Sequence, residues 1–323
     1  MRALLSAALL LAGCGRYGDF RLPPAGVPER GRYLWNALPD PVLREAAVDT
    51  LNPSVLVDNG GLLNLYSVFD GRAWHTHEAR SAGGLVWTAH RRILSPEARS
   101  WEGAYIAANG AAVEFAGGIL YYYQAGAPPR IGLARRRAGG TWLKEKQPVL
   151  TTGPRGAWDE RAVADPYLLQ AGGKLFMYYL GEDRARRQRL GLAASNDGVT
   201  WTKLRSNPVL ELGASGELDE NGTGEPAVWH AHGRYWMLST GRARDETRRM
   251  ALLESPDGVR WRRAGLVIAG NRDWNSKVVC DATVLPQTGR VRVWFGGGDA
   301  AHPAENIHGQ IGYGELVWQP ERE

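Results

Sequence analysis

The chain has 323 residues, with 39 Lys+Arg against 34 Asp+Glu and a formal net charge of +5. Hydrophobic residues make up 44% and charged residues 23%, which excludes wholesale disorder, while 41 Gly, 18 Pro and 13 Trp favour short strands and tight turns over long helices. The basic excess is scattered Arg with short clusters such as Arg135-Arg136-Arg137; with no basic arm and no recognition motif, no nucleic-acid partner is expected.

Met1-Arg2 precedes an apolar run from Ala3 to Ala12, too short to span a bilayer and shaped like a secretory signal. Its end, Leu11-Ala12-Gly13-Cys14, resembles the bacterial lipobox. The resemblance implies a signal peptide over 1–13, acylation of Cys14, and a flexible tether over 14–32 that carries Pro23-Pro24 and Pro28. It places the protein in the bacterial cell envelope, on the outer membrane or periplasmic face, with the membrane as a partner through the lipid. Cys280 is the one other cysteine, so no internal disulfide is available and the core must hold by packing.

From 33 to 323 the chain reads as one domain built on a repeat. Ala164-Asp165-Pro166-Tyr167 through Tyr179 superimposes on Gly224-Glu225-Pro226-Ala227 through Met237 at an offset of 60, as does Ser195-Asn196-Asp197-Gly198-Val199-Thr200-Trp201 on Ser255-Pro256-Asp257-Gly258-Val259-Arg260-Trp261. Weaker copies begin at Asn52, Gly110 and Asp281, so the unit starts are 52, 110, 165, 225 and 281. An independent Trp series at 87, 142, 201, 261 and 318 keeps the same beat. Each unit reads as an apolar strand, a Gly-containing turn, an aromatic strand such as Leu120-Tyr121-Tyr122-Tyr123, a third strand, and an Asp-Gly hairpin before the Trp. Four antiparallel strands per unit and five units predict an all-β, five-bladed β-propeller. The segment from Tyr33 to Val48 leads into the first blade and is a candidate for closing the ring.

In a propeller the innermost strands begin at the mouth of the central channel, so Asp165, Glu225 and Asp281 should converge there with Asn52. Carboxylates gathered so closely repel, and at least one should hold its proton into the working range of a general acid. Upstream loops repeat Trp101-Glu102, Trp158-Asp159-Glu160, Leu218-Asp219-Glu220 and Trp274-Asn275 in one register. Acids mixed with indoles suit a sugar cleft, which makes Trp101, Glu102, Asp159, Glu160, Asp219, Glu220 and Trp274 substrate-binding candidates; capping of turns and pairing with Arg is the competing explanation. His308, just before Gln310-Ile311-Gly312-Tyr313, is a further candidate, whereas His230 and His232 fall at a hairpin tip. No metal site and no required cofactor are expected; a structural ion in the channel is the alternative.

Trp158-Asp159-Glu160 to Asp165-Pro166, Glu225-Pro226 and the Ser-x-Asp-Gly-x-x-Trp hairpins resemble the five-bladed propeller glycosidases of family 43 and their invertase and levansucrase relatives. The resemblance implies a glycoside hydrolase acting on arabinose-, xylose- or fructose-type units, with a blade-one Asp base, a blade-three Asp that tunes the acid, and a blade-four Glu acid. Asp165 and Glu225 match the latter two; blade one offers Asn52, which cannot take a proton from water. Asp281 is then the candidate base or sugar-gripping residue, with a loop acid such as Glu160 as the alternative base. The alternative is a glycan-binding propeller lipoprotein that does not turn over its ligand.

Overall fold

A computed structural model describes residues 16–137 and 140–321. Cys14 and the expected signal peptide lie outside the described residues. Two strands, β1 (Arg16–Gly18) and β2 (Gly31–Ala37), come first. Blade I is β3 (Asp49–Asp58), β4 (Gly61–Phe69), β5 (Trp74–Ser81) and β6 (Thr88–Leu94). Blade II is β7 (Ala107–Phe115), β8 (Gly118–Ala125), β9 (Arg130–Arg136) and β10 (Trp142–Lys144). Blade III is β11 (Ala162–Ala171), β12 (Lys174–Glu182), β13 (Gln188–Ser195) and β14 (Thr202–Leu204). Blade IV is β15 (Gly222–Ala231), β16 (Arg234–Arg242), β17 (Arg248–Ser255) and β18 (Arg262–Ile268), and blade V is β19 (Val278–Gln287), β20 (Arg290–Gly298) and β21 (Gln310–Pro320). Within every blade successive strands pair antiparallel, the five-bladed propeller that the repeat predicts.

The local chemistry explains the regularity. Asn59-Gly60, Ala116-Gly117, Gly172-Gly173 and His232-Gly233 all have positive φ at both positions, the twist a two-residue hairpin needs between β strands. Tyr121, Tyr122 and Tyr123 are all fully buried although neighbours on a strand face opposite ways, because each blade is covered on both faces by the next. Tyr hydroxyls also couple adjacent blades: Tyr122 donates to the Gly198 carbonyl at 2.7 Å and Tyr178 to that of Gly258 at 2.6 Å.

Two expectations change. Blade V takes its fourth strand from the N-terminal side: β2 pairs antiparallel with β21 from Gly31↔Pro320 to Ala37↔Gly314, and so closes the ring. Trp318 therefore sits on a third strand, unlike the other members of its series. The segment expected as a free tether is also bound from Arg16 onward. β1 pairs parallel with β14, Leu22 and Ala25 are buried against blades III and IV, Tyr235 donates to the Pro23 carbonyl at 2.6 Å, and the Glu29 N–H bonds the His232 carbonyl at 3.1 Å. His230 and His232 are used in this docking, contacting the Ala25 carbonyl at 2.7 Å and the Glu29 carboxylate at 2.8 Å.

Candidate active site

Every innermost strand is interrupted by a bulge at the same place, where pairing skips between Leu51 and Ser54, Ala108 and Ala111, Ala164 and Tyr167, Gly224 and Ala227, and Cys280 and Thr283. One residue in each bulge is left-handed: Asn52 (φ 48°), Asn109 (φ 49°), Asp165 (φ 45°), Glu225 (φ 49°) and Asp281 (φ 53°). Asn and Asp adopt this conformation more readily than other side chains; Glu does not share that ease, and holding it there costs about 1–3 kcal/mol. The blade II position is thus Asn109, one residue before the expected Gly110. Gly110 has its own reason, since a Cβ there would meet the Tyr122 carbonyl oxygen at 2.1 Å.

These five side chains ring the floor of a pocket of about 200 Å³, walled also by Trp74, Tyr105, Gln188, Arg242, Arg248 and Pro303. A second, smaller space of about 30 Å³ lies against the same ring, lined also by Ser54, Tyr167 and Thr283. Asn52, Asp165, Glu225 and Asp281 are therefore brought together as expected.

Electrostatics divide the acids. Asp165 keeps some surface open to the pocket, yet protein surrounds it so closely that burial, and then the Glu225 charge, push it up to about 8 against the opposing Arg248, Asn109 and Arg242. Asp281, only 7% exposed, is pushed well above the carboxylate range by burial and then by Glu225. Its backbone N–H donates to Glu225 Oε2 and to Thr240 Oγ1, each at 3.3 Å, and its Oδ2 accepts from Cys280 Sγ at 3.0 Å. Glu225, Cys280 and Asp281 bring donor atoms within 4.8 Å of one another. A cation there would face the Arg248 guanidinium charge and a thiol that burial pushes far up.

The loop acids do something else. Glu102 is buried and accepts from the Lys144 ammonium at 2.6 Å and the Tyr123 hydroxyl at 2.5 Å. Asp159 is fully buried against Lys203 and Tyr179, and Asp219 pairs with Arg263. Each ties its loop to the last strand of its own blade. Glu160 accepts the Gly156 N–H and pairs with Arg184, and Glu220 does the same with Gly216 and Arg244. Trp101 stacks on Tyr123 beside Glu102, and Trp274 lies against Gly297 and Gly312, where a Cβ would touch its ring. His308 is exposed and pairs with Asp299 at 2.6 Å. None of these loop residues lines the central pocket; the five acids among them cap turns or pair with Arg or Lys instead. The aromatic walls are instead Trp74 and Tyr105. These two, Asn109 and Arg248 are among the site residues that sequence reasoning passed over; the αL preference for Asn was the signal that could have located Asn109.

Comparison with known proteins agrees with this architecture. The chain is 27% identical over 159 residues to an uncharacterised protein of Mycobacterium tuberculosis, an alignment that takes in 46% of this chain and 52% of the relative. It thus spans about half the length of the curated relatives it matches. Among solved structures, Zg3597, a family 117 glycoside hydrolase of the marine bacterium Zobellia galactanivorans, superposes with TM-score 0.67 at 15% identity over 90% of this chain and 92% of that one. The catalytic domain of the Coprinopsis cinerea GH62 alpha-L-arabinofuranosidase gives 0.65 at 11% over 91% and 98%. The Bombyx mori GH32 beta-fructofuranosidase BmSUC1 gives 0.64 at 14% over 93% and 66%. At such identities these likenesses speak for the fold. Residues 67–281 match the glycosyl hydrolases family 32 N-terminal domain, and the chain belongs to that family.

Proposed function

We propose that the protein is a glycoside hydrolase whose proton donor is shared between Asp165 and Glu225. The observation that carries this reading is the ring of left-handed bulge residues, which sets three carboxyl groups from three blades around one pocket in a chain of a glycosyl hydrolase family. Two carboxyl groups so placed cannot both ionise at low cost, so one proton stays with the pair near neutrality. Asp165, raised to about 8, keeps that proton available in the pH range where a glycosidic oxygen must be protonated as its bond breaks. Glu225 stands beside it with the pocket in front of both. Asp281, pushed well above the ordinary carboxylate range by burial and by Glu225, is better placed to donate a hydrogen bond to a sugar hydroxyl than to abstract a proton from water. Arabinose-, xylose- and fructose-type units are the substrate classes proposed; the names of the arabinofuranosidase and beta-fructofuranosidase neighbours are in keeping with them.

A panel of nitrophenyl glycosides tests the reading. Turnover that falls in both Asp165→Asn and Glu225→Gln, and recovers in part with dinitrophenyl leaving groups that need no protonation, is the expected result. Undiminished turnover in both variants overturns the assignment. A second reading has one observation in its favour: Asn52 occupies the blade I position where a carboxylate base would stand. On that reading the pocket binds a glycan without cleaving it, and a glycan array giving binding with no hydrolysis of any glycoside would select it.

A further inference from the structure

We propose that Arg248 is the positioning residue of this site, pinning one wall of the pocket while its charge stands among the three carboxyl groups. Only the kinetic arm of the test rests on the glycosidase reading. Arg248 opens β17, opposite Arg242 on β16. It is buried, and its Nη2 donates to the carbonyl oxygens of His302 and Pro303 at 2.8 Å each. Both carbonyls belong to the connection between β20 and β21, from which Pro303 lines the pocket. The far end of that connection is tied from the other neighbouring blade: Asp49 accepts the N–H groups of Asn306, Ile307 and Gly309 at 2.6, 3.1 and 2.7 Å. A loop of blade V is thus clamped by a buried cation from blade IV and a buried anion from blade I.

The groups that act most strongly on one another come from blades II to V. Glu225, Cys280, Asp281 and Glu246 act on Arg248. Glu225, Arg248, Asn109 and Arg242 act on Asp165, and Glu225, Cys280, Asp165 and Arg248 act on Asp281. Arg248 is the cation common to both aspartates; Arg242 has Glu246 beside it at 3.4 Å. The fold itself does not demand a guanidinium here. In blade III the corresponding pair is Glu182↔Gln188, and Gln188 simply donates to Glu182 at 3.2 Å within its own blade.

Two substitutions separate the clamp from the charge. Arg248→Met removes both, while Arg248→Lys keeps the charge and loses the planar fork that reaches two carbonyls. The first readout is ¹³C-carboxyl NMR of Asp-labelled protein, which needs no substrate. Asp165 and Asp281 should titrate upward by roughly one pH unit in Arg248→Met and stay near wild type in Arg248→Lys. The second is amide hydrogen exchange over 300–306, which should quicken in both. The third is aryl-glycoside kinetics, where KM should rise about tenfold in both and the basic limb of the pH profile should move only in Arg248→Met. Should Arg248→Met fail to fold, Arg248→Gln, which copies blade III, takes its place. Wild-type carboxyl titration together with wild-type exchange in the uncharged variant overturns the proposal. If no form of the protein turns over any glycoside, that result counts against the hydrolase reading, while titration and exchange still decide the role of Arg248.

Discussion

Blades III and IV repeat at an offset of 60 residues, and comparing them position by position separates what holds the propeller from what it is for. Asp159–Lys203 becomes Asp219–Arg263, Glu160–Arg184 becomes Glu220–Arg244, and the Ser195-x-Asp197 turn becomes Ser255-x-Asp257 with the same hydrogen bonds. The copies part company at Asp165/Glu225, Leu180/Thr240, Glu182/Arg242 and Gln188/Arg248, and all eight residues line the pocket. A further divergence is a matter of size. Trp158 and Tyr179 pack on each other in blade III at 5.6 Å; Leu218 and Ser239 replace them in blade IV, where a groove of about 260 Å³ opens instead. The ion pairs and turns that repeat are scaffold, whereas these four divergent pairs face the pocket.

The largest expected effect falls on the broken side. Glu225→Gln preserves shape and removes both charge and proton, so kcat on a nitrophenyl glycoside should drop about 10²–10⁴-fold with the melting profile little changed. The scaffold side should respond in stability instead, and unequally. Asp159→Ala leaves Lys203, with a side chain 2% exposed, as an uncompensated buried charge, a loss of about 3–5 kcal/mol. Asp219→Ala leaves Arg263 37% exposed and still paired with Glu217 at 3.1 Å, and should cost about 1 kcal/mol. Urea denaturation measures both; equal losses would show that the two ion pairs are not the same device at different depths.

How much of this could be read beforehand follows the same division. Strand order, hairpins and the fivefold ring rest on local signals, such as Asp-Gly turns and alternating aromatics, which need no knowledge of neighbours. The convergence of Asp165, Glu225 and Asp281 was legible because ring symmetry converts sequence period into proximity. Blade II slipped by one residue because Ala-Ala-Val lacks a Pro or an acid to align on, although Asn109 fits the left-handed position that Gly110 does not occupy. The loop acids were misassigned although their shared register was itself the clue: a feature copied in several blades serves all of them. Arg248 was invisible since its partners are backbone carbonyls on another blade's loop, which leave no pattern in the sequence. The docked segment 16–30 was unreadable for a related reason, its apolar anchors Leu22 and Ala25 being too few to form a pattern.

A moderate effect should appear in pH dependence. Asp165 is held at about 8, above its ordinary value, so between the normal carboxylate range and pH 8 the folded chain binds a proton that the unfolded chain has released. Its contribution to stability is full below the unfolded value and is lost as pH rises through that window. Asp165→Asn removes the dependence and keeps a residue suited to positive φ. The melting temperature of the variant relative to wild type should therefore climb from pH 4 to pH 8 and level off beyond it. A difference that stays flat across the window would mean that Asp165 is ionised throughout.

The smallest effect probes the faithful copies. Asp197 Oδ1 accepts the N–H groups of Val199 and Thr200 at 2.8 and 2.7 Å, and Asp257 Oδ1 those of Val259 and Arg260 at 3.0 and 2.9 Å. Removing either carboxylate should cost about 1 kcal/mol, and each loss should leave turnover untouched. Asp257 has an extra partner, Arg260 at 2.8 Å, but that guanidinium is 83% exposed and adds little. Backbone hydrogen bonds hold Asp197 down at about 2, so its contribution is present above the ordinary carboxylate range and disappears as pH falls toward that value. Asp197→Ala and Asp257→Ala should thus match within a few tenths of a kcal/mol at neutral pH, and Asp197→Ala should converge on wild type in acid. A clearly larger loss for Asp257→Ala at neutral pH would mean that the exposed ion pair, absent from blade III, has made even this turn specific to its blade.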